Sequence, residues 1–248
     1  MSWISEKCLP QYLKVCGLAA TDDYAFDNFK RWKSFSSPVG GTELGYAYEC
    51  MNELKTCPLV YDNIQFLDRI DEIGNPHRLL GGRSTEFYRF ADSVRRIKEM
   101  MGTLNGCTVA ELGSNIGSLC YMCLTIWPDI KMYHLIDFPE VNELALKCLE
   151  TLSVDMSKIS ITEEPKGKTE LFCSEYGLTE QTQDGLTELT DRYCAKSDNA
   201  FIRCNLHVES MYQQWLKQMQ SYYTLTVEQE SPLGHRPRFN RVVIGKNE

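Results

Sequence analysis

The sequence predicts an α/β protein with a doubly wound sheet of seven strands, preceded by a helical cap. From Thr85 onward, strand-like apolar runs alternate with helix-like runs, which is typical of a mostly parallel sheet covered by helices. One of these runs, 109–112, leads directly into a glycine-containing loop and then into a helix-like run. Before residue 80 no period-two strand pattern occurs. Together these observations favour a Rossmann-like sheet over other α/β arrangements.

The predicted elements follow one another in a regular order. Residues 1–84 form the cap, a set of short helices interrupted at Gly17, Pro58 and Pro76. Its apolar content is too thin for a core of its own, so we do not expect the cap to fold independently. Residues 85–248 form the region that carries the sheet. The predicted strands are 109–112, 131–137, 159–162, 170–174, 200–204, 225–229 and 239–245, and the predicted helices are 87–101, 118–127, 141–152, 179–195 and 211–219.

Composition limits the classes of function. A chain of 248 residues with 43% hydrophobic content can bury one core and a small cap. The net charge of −8 and the pI near 5.2 argue against a nucleic-acid partner, which would need a basic face. The sequence has no apolar run long enough to predict a membrane span, and its first residues lack the pattern of a secretion signal.

Eleven cysteines are scattered along the chain. An odd number of cysteines without a secretion signal is typical of reduced thiols inside a cell, so the predicted location is the cytoplasm. Cys120 and Cys123 form a close pair, but no second pair has the spacing of a zinc site. We therefore expect buried thiols and no metal at this pair.

The segment Val-Ala-Glu-Leu-Gly-Ser-Asn-Ile-Gly at 109–117 carries the strongest functional signal. It places a carboxylate at the end of a strand, then a loop with two glycines, then a helix N-terminus. Glycines let a ligand approach the backbone closely, and the free amides at the helix N-terminus face that ligand. The ligand-binding candidates of this segment are Glu111, Gly113, Ser114, Asn115 and Gly117.

A second acidic residue, Asp137, ends the next predicted strand, about 24 residues after Gly113. A carboxylate at that position can accept hydrogen bonds from both hydroxyls of a ribose. The pyrophosphate fingerprint Gly-x-Gly-x-x-Gly is missing, because the loop contains only Gly113 and Gly117 at this spacing. The pattern therefore favours an adenosine ligand without phosphates.

Most of these candidates also have a purely structural interpretation. The glycine loop could be an ordinary strand-to-helix turn of another doubly wound protein. Asp137 precedes Pro139 and could be a helix N-cap. Phe138 could pack along the adenine, or it could be a core aromatic. The side chain of Asn115 stands where many proteins with this loop have a further glycine, and it could contact the ligand.

These motifs resemble the class I S-adenosylmethionine-dependent methyltransferases. The flanking segments at 71–76, 84–91 and 133–144 are similar to the sugar O-methyltransferase family, and the resemblance runs from roughly Tyr61 to the last residue. It implies a Rossmann-like methyltransferase fold, S-adenosylmethionine as cofactor, and a hydroxyl group of a sugar or similar small molecule as acceptor. Arg89 matches an arginine of the family's pattern and could pair with the cofactor carboxylate; a surface ion pair is the alternative.

A base that takes the hydroxyl proton would assist this reaction. In this architecture the acceptor lies over the carboxyl ends of the later strands, which selects side chains after strands four, five and six. The candidates are His235, His207 and Glu175, with Tyr176 and Glu209 nearby. His235 is the first choice because its Gly-His-Arg-Pro loop can close over the site. The sequence has no Asp-Asp pair at a strand end, so it does not predict a metal site.

The leading hypothesis is therefore a cytoplasmic methyltransferase that acts on a small hydroxyl compound. A non-catalytic protein with the methyltransferase fold, which binds a partner or a metabolite, is the alternative. An NAD oxidoreductase is disfavoured because the pyrophosphate loop is missing.

Overall fold

A seven-stranded sheet forms the centre of the molecule in the computed structural model, which describes residues 8–39, 44–206, 208–230 and 240–247. Its strands are β1 (Thr108–Leu112), β2 (Met132–Ile136), β3 (Ile159–Ile161), β4 (Leu171–Glu175), β5 (Asn199–Cys204), β6 (Thr224–Gln229) and β7 (Arg241–Lys246). Their spatial order is β3-β2-β1-β4-β5-β7-β6. Neighbours among β1 to β5 pair in parallel, whereas β7 lies antiparallel between β5 and β6. The predicted doubly wound fold is confirmed.

Helices cover both faces of this sheet. In chain order they are α1 (Leu9–Thr21), α2 (Asp23–Asn28), α3 (Lys33–Val39), α4 (Leu44–Leu54), α5 (Pro58–Tyr61), α6 (Ile64–Leu67), α7 (Thr85–Met101), α8 (Ser118–Ile126), α9 (Pro139–Thr151), α10 (Gln183–Cys194) and α11 (Glu209–Met219). Short 3-10 turns lie at Phe29–Arg31, Asp68–Glu72, Leu80–Gly82 and Met156–Lys158. As predicted, the described part of residues 1–80 contains no strand.

The side chains of each strand alternate between the two faces of the sheet, and the interior is accordingly divided into two hydrophobic cores. Val109 packs with the core formed by α7, α8, α9 and the cap, whereas the next residue, Ala110, packs with the core formed by α10 and α11. Successive side chains of a strand point to opposite faces, so the uninterrupted apolar runs of the sequence are explained by burial on both sides.

The cap shares the first of these cores. Phe29, Phe35 and Leu54 of the cap are fully or almost fully buried in the same cluster as Phe87 of α7 and Val109 of β1. Helix α1 packs along α9 on that side of the sheet. The boundary after residue 84 stays a prediction, but the common core supports the expectation that the cap does not fold alone.

The start of α7 is fixed by polar contacts with the cap. The Ser84 hydroxyl accepts a hydrogen bond from Phe87 N at 3.0 Å and so caps the helix. Asp71 in turn accepts from Ser84 N at 2.6 Å and from Ser84 Oγ at 2.7 Å. These contacts involve two of the flanking segments that carry the family resemblance, and they set the position of Arg89 one turn further along.

Helix α10 begins later than the sequence predicts. The predicted start near Thr179 is wrong, because the amides of Thr179 and Glu180 both donate to the carbonyl of Tyr176 in a separate turn. The helix starts at Gln183, after Thr182 caps it by accepting from Gly185 N at 3.1 Å. The turn between β4 and α10 is therefore free to face the end of the sheet.

The cysteines are all free thiols, and most of them are buried. Cys120 and Cys123 lie within α8 with no exposed surface, and burial raises the pKa of both thiols well above the usual value. They therefore stay protonated and pack as small apolar groups, as predicted. No helix among the described residues is long and apolar enough to cross a membrane.

Candidate functional site

A cavity of about 410 Å³ opens at the carboxyl ends of β1, β2 and β4. Its volume falls within the roughly 300–1,000 Å³ that is usual for small-molecule sites. The position is also where doubly wound sheets bind their ligands. The lining residues come from the cap, from α7 and from the loops that follow these strands: Tyr12, Arg89, Phe90, Leu112, Gly113, Asn115, Ile136, Asp137, Phe138, Pro139, Glu163, Glu175, Tyr176, Gly177, Glu180, Gln181, Arg192 and Tyr193.

The glycine loop after β1 forms one wall of the cavity, and it needs glycine for steric reasons. Gly113 has a φ of +78°, and a Cβ at that position would lie 2.9 Å from the Cα of Gly177 in the β4–α10 turn. Gly117 has a φ of +77° at the start of α8, and a Cβ there would lie 3.1 Å from Leu149. Both glycines therefore permit close packing of the loop, which keeps its backbone beside the cavity.

Asn115 connects this loop to the cap and to the neighbouring strand. It adopts a φ of +51°, a left-handed conformation that asparagine tolerates better than most residues. Its amide N donates to Asp137 Oδ2 at 2.9 Å, and its Oδ1 accepts from the hydroxyl of Tyr12 at 3.1 Å. The additional bulk at this position is thus accommodated by a contact with α1.

Asp137 lies at the end of β2 with its carboxylate at the cavity wall. Its Oδ1 accepts from Phe138 N at 2.8 Å, while its Oδ2 accepts from Asn115 N. Burial raises the pKa of this carboxyl to about 6, although the two amide hydrogen bonds oppose the shift. A carboxylate offers about four acceptor sites, so each oxygen keeps acceptor capacity for a ligand hydroxyl.

The two structural alternatives for this segment are wrong. Phe138, not Asp137, occupies the N-cap position of α9, with Pro139 at the first helical position. Phe138 is 45% exposed and lines the cavity, so it is not a core aromatic. Asn142 fixes the segment by donating to the carbonyl of Asp137 at 2.9 Å.

Arg89 projects from α7 into the same cavity. Its side chain is only 14% exposed, and its Nε lies 3.9 Å from Glu175 Oε2. Its guanidinium lies 5.0 Å from the ring centre of Phe90 and 5.9 Å from that of Tyr176. The alternative that Arg89 forms a surface ion pair is therefore wrong. Its guanidinium lies where it can contact an anionic group in the cavity.

The other loop candidates lie behind the cavity wall. Glu111 has no exposed surface, its Oε2 accepts from the hydroxyl of Tyr133 at 2.8 Å, and burial raises its pKa well above the usual value. Ser114 is also fully buried and does not line the cavity, and neither does Gly117. These three residues shape the loop, and direct ligand contact by any of them stays a prediction.

Glu175 lines the cavity, but cationic and hydroxyl groups already hold its carboxylate. The hydroxyl of Ser93 donates to Oε1, and Oε2 lies 3.2 Å from Arg203 Nε and 3.9 Å from Arg89 Nε. Burial raises its pKa, and the two arginines oppose that shift. Its role as a base stays a prediction; the contacts instead favour a role in holding Arg89 in place.

Arg203 is the centre of a buried charge network under the cavity. It has no exposed surface, and its guanidinium lies 2.7 Å from Asp92 and 2.6 Å from Glu230. Glu230 in turn accepts from the hydroxyl of Tyr176 at 2.6 Å. The network thereby joins α7, β4, β5 and the end of β6 beneath the residues that line the cavity.

His235 and His207 lie outside the described residues, so their role as a base stays a prediction. Glu209, on the first turn of α11, does not line the cavity; its Oε1 accepts from Gln213 on the exposed side of the helix.

Several cavity residues were not predicted from the sequence. Tyr12 comes from the cap, Glu163 from the loop after β3, and Arg192 from α10. Gly177 and Glu180 come from the turn after β4. A glycine and an acid following a strand in this order were the available signal for the last two, whereas only packing brings the first three to the site.

Glu180, in the same turn, has a pKa well above the usual value of a glutamate. Burial raises its pKa to about 7, against a hydrogen bond from the Asn205 side chain and the charge of Arg89; the charge of Asp137 adds to the rise. A carboxyl group poised near neutral pH is unusual in proteins and is common at functional sites.

Within the described ranges, no three His, Cys, Asp or Glu side chains are grouped closely enough to hold a metal ion. The cavity instead offers carboxylates, a guanidinium, aromatic rings and a glycine loop. This set fits an adenosine group with a charged amino-acid tail: Asp137 suits the ribose hydroxyls, Phe138 the adenine, and Arg89 the carboxylate.

Comparison with known proteins supports the fold. No family model matches the sequence, and no curated protein matches it. Among solved structures, magnesium protoporphyrin IX methyltransferase from Synechocystis PCC 6803, solved with bound S-adenosylmethionine, is similar at a TM-score of 0.54 and 11% identity, over 80% of this chain and 97% of that chain.

Two further structures show the same likeness. The methyltransferase domain of bacterial CtHen1 matches at a TM-score of 0.52 and 13% identity, over 64% of this chain and 97% of that domain. A protein of Thermoplasma acidophilum matches at a TM-score of 0.52 and 15% identity, over 75% of this chain and 97% of that chain. The chain thus has the Rossmann-like fold of class I methyltransferases. The resemblance to sugar O-methyltransferases is not supported by these matches and stays a prediction.

Proposed function

We propose that this protein is an S-adenosylmethionine-dependent methyltransferase that methylates a hydroxyl group of a sugar or similar small molecule. The observation that carries the proposal is the Asp137 carboxylate, which two backbone amides orient beside the glycine loop of a methyltransferase fold. When bound, the cofactor supplies an activated methyl group. The chain then mainly has to position the two reactants, which is the larger part of such catalysis.

The residues that would hold the cofactor are Asp137 for the ribose hydroxyls, Phe138 for the adenine and Arg89 for the carboxylate. The loop at Gly113 and Asn115 would contact its central part. Similar folds bind this cofactor, as the Synechocystis enzyme does. The missing pyrophosphate loop and the carboxylate at the end of β2 support an adenosine ligand rather than NAD.

A small acceptor is supported by the shape and charge of the site. The cap contributes Tyr12 to the wall, so the cavity is partly covered. The net charge of −8 disfavours a nucleic-acid substrate. The sugar assignment rests on the sequence resemblance alone. A cytoplasmic location is part of the proposal, and the free buried thiols support it.

Calorimetry with S-adenosylmethionine, S-adenosylhomocysteine and NADH tests the cofactor. Binding of the first two without the third is expected, and binding of NADH alone would contradict the proposal. Transfer of a radiolabelled methyl group to methyl glucoside, methyl rhamnoside and UDP-glucose then tests the acceptor class. A protein that binds the cofactor but methylates none of these acceptors would favour the alternative of a non-catalytic binding protein.

A further inference from the structure

We infer that Glu180 is the group that takes the proton from the acceptor hydroxyl during methyl transfer. This inference rests on the proposed function and adds a catalytic residue to it. Glu180 lies in the turn after β4 and lines the cavity together with Gly177 and Tyr176. The turn stands at the carboxyl end of the sheet, where the acceptor of a doubly wound enzyme is expected.

The carboxylate of Glu180 has a neutral hydrogen-bond partner, the side chain of Asn205. The hydroxyl of Thr179 donates to Asn205 Oδ1 at 2.9 Å, and Asn205 N donates back to that hydroxyl at 3.4 Å. Because Oδ1 is the acceptor in this pair, the side-chain NH2 of Asn205 remains as the donor. That amide is the hydrogen-bond partner of Glu180, so the carboxylate is positioned without being neutralised.

Three other acids line the cavity. Glu163 is exposed, and the remaining two are engaged differently from Glu180. Glu175 is held by Arg203, Arg89 and Ser93, so both of its carboxylate oxygens are already engaged by side chains of the protein. Asp137 accepts two backbone amides and faces the ribose position. Glu180 is the cavity carboxylate whose described hydrogen bond comes from a side-chain amide.

Burial, together with the neighbouring polar and charged groups, gives Glu180 a suitable proton affinity. The groups that act on it are Arg89 of α7, Asp137 at the end of β2 and Asn205 after β5. Burial is the largest influence and raises the pKa to about 7. A base with a pKa near the working pH combines a useful ionised fraction with a useful affinity for the proton.

The step balances in atoms and charge. The O–H bond of the acceptor breaks, its proton passes to a carboxylate oxygen of Glu180, and its electron pair stays on the acceptor oxygen. That oxygen forms the new bond to the methyl carbon, whose bond to sulfur breaks with the electron pair left on sulfur. The proton returns from Glu180 to solvent after the products leave.

The test is Glu180→Gln, which keeps the shape and the contact with Asn205 but removes the proton acceptor. With the best of the three acceptors named above, turnover should fall about 100-fold or more, while the dissociation constant for S-adenosylmethionine stays unchanged. The acid limb of the turnover profile near pH 7 should vanish in the variant. Glu150→Gln is the matched control, because Glu150 is exposed on α9 and does not line the cavity, and this variant should behave as the wild type.

A second readout needs no acceptor. NMR titration of isotope-labelled glutamate carboxyl groups in the full chain should show one group that titrates near pH 7 and is lost in Glu180→Gln. Three results would each overturn the inference: unchanged turnover of Glu180→Gln, a loss of cofactor affinity as large as its loss of turnover, or a Glu180 pKa in the ordinary glutamate range. Failure of the wild type to bind S-adenosylmethionine would instead refute the proposed function, and the NMR titration would still decide the proton affinity of Glu180.

Discussion

Asp137 is a carboxylate that has to be ionised to accept two hydroxyl hydrogen bonds, and its burial makes ionisation harder than usual. Its pKa is raised to about 6 by burial. Below that pH the free protein holds the protonated form, which loses acceptor capacity; above it the ionised form dominates. The affinity for the cofactor should therefore depend on pH in a window set by this one side chain.

We expect the dissociation constant for S-adenosylmethionine to be constant above pH 7 and to rise as the pH falls through about 6. Calorimetry across this range measures the effect. Glu180 acts on turnover and Asp137 acts on affinity. Turnover should therefore fall near pH 7, whereas cofactor affinity should fall only near pH 6. An affinity that is independent of pH down to the ordinary range of aspartate would contradict the assigned ionisation.

Arg89 should discriminate between cofactor analogues. Arg89→Met should weaken binding of S-adenosylmethionine much more than binding of methylthioadenosine, because only the first carries a carboxylate. Loss of one charge-assisted hydrogen bond corresponds to roughly 1.5–3 kcal/mol. Competition binding of both ligands to both proteins provides the comparison. Equal losses for the two ligands would show that Arg89 acts through Glu175 and the shape of the cavity.

At the scale of elements, the site depends on the contact between the β1–α8 loop and the β4–α10 turn. A Cβ on Gly177 would lie 2.8 Å from Gly113 Cα and 2.9 Å from the carbonyl oxygen of Leu112. Both neighbours are backbone atoms, so no side chain can rotate away. One methyl group at this contact would therefore separate the two segments that carry Asn115 and Glu180.

Gly177→Ala should lower the free energy of unfolding by about 1–3 kcal/mol, as other overpacked sites do, and should weaken cofactor binding. Gly45→Ala is the matched control, because Gly45 lies in α4 and a Cβ added there would have no neighbour within 4 Å. That change should be neutral or slightly stabilising, since alanine favours a helix. Denaturant unfolding and calorimetry report both effects; a fully stable Gly177→Ala with normal affinity would show that the contact is not required.

The elements that the sequence predicted well are those with continuous apolar runs. The run before Glu111 and the run before Asp137 gave β1 and β2, and the positions of Gly113 and Asp137 at the cavity followed from them. The start of α10 was missed because Thr179 and Glu180 form a turn of their own. Tyr12 was missed because its place at the site depends on the packing of α1 against α9, which no local pattern indicates.

For the molecule as a whole, the buried network around Arg203 ties the cap-side helix α7 to the sheet. Asp92 shows the balance of forces in this network: burial would raise its pKa, but Arg203, Arg96 and Arg95 hold it below the usual value. The pair of Asp92 and Arg203 is therefore ionised in the folded protein. Removing the central cation would leave Asp92 as a buried negative charge and would take away the Arg203 partner of Glu175 and Glu230.

Arg203→Met should destabilise the protein by roughly 3–5 kcal/mol, the usual cost of breaking a buried ion pair. Lys168→Met removes an exposed ion pair with Asp198 and should cost less than about 1 kcal/mol. Denaturant unfolding of the two variants at neutral pH measures the difference. Similar stabilities for both variants would show that the buried network contributes no more than a surface pair.

Binding of S-adenosylmethionine through Asp137 can be measured by titration calorimetry of three proteins. The wild type should bind, and Asp137→Asn should lose about 2 kcal/mol, or roughly 30-fold in affinity, through weaker hydroxyl contacts. Asp155→Asn is the control, because Asp155 also accepts a backbone amide, from Ser157, but is exposed and does not line the cavity; it should bind as the wild type does. Equal affinity of Asp137→Asn and the wild type would show that Asp137 does not hold the cofactor, and no binding by the wild type would refute S-adenosylmethionine as the cofactor.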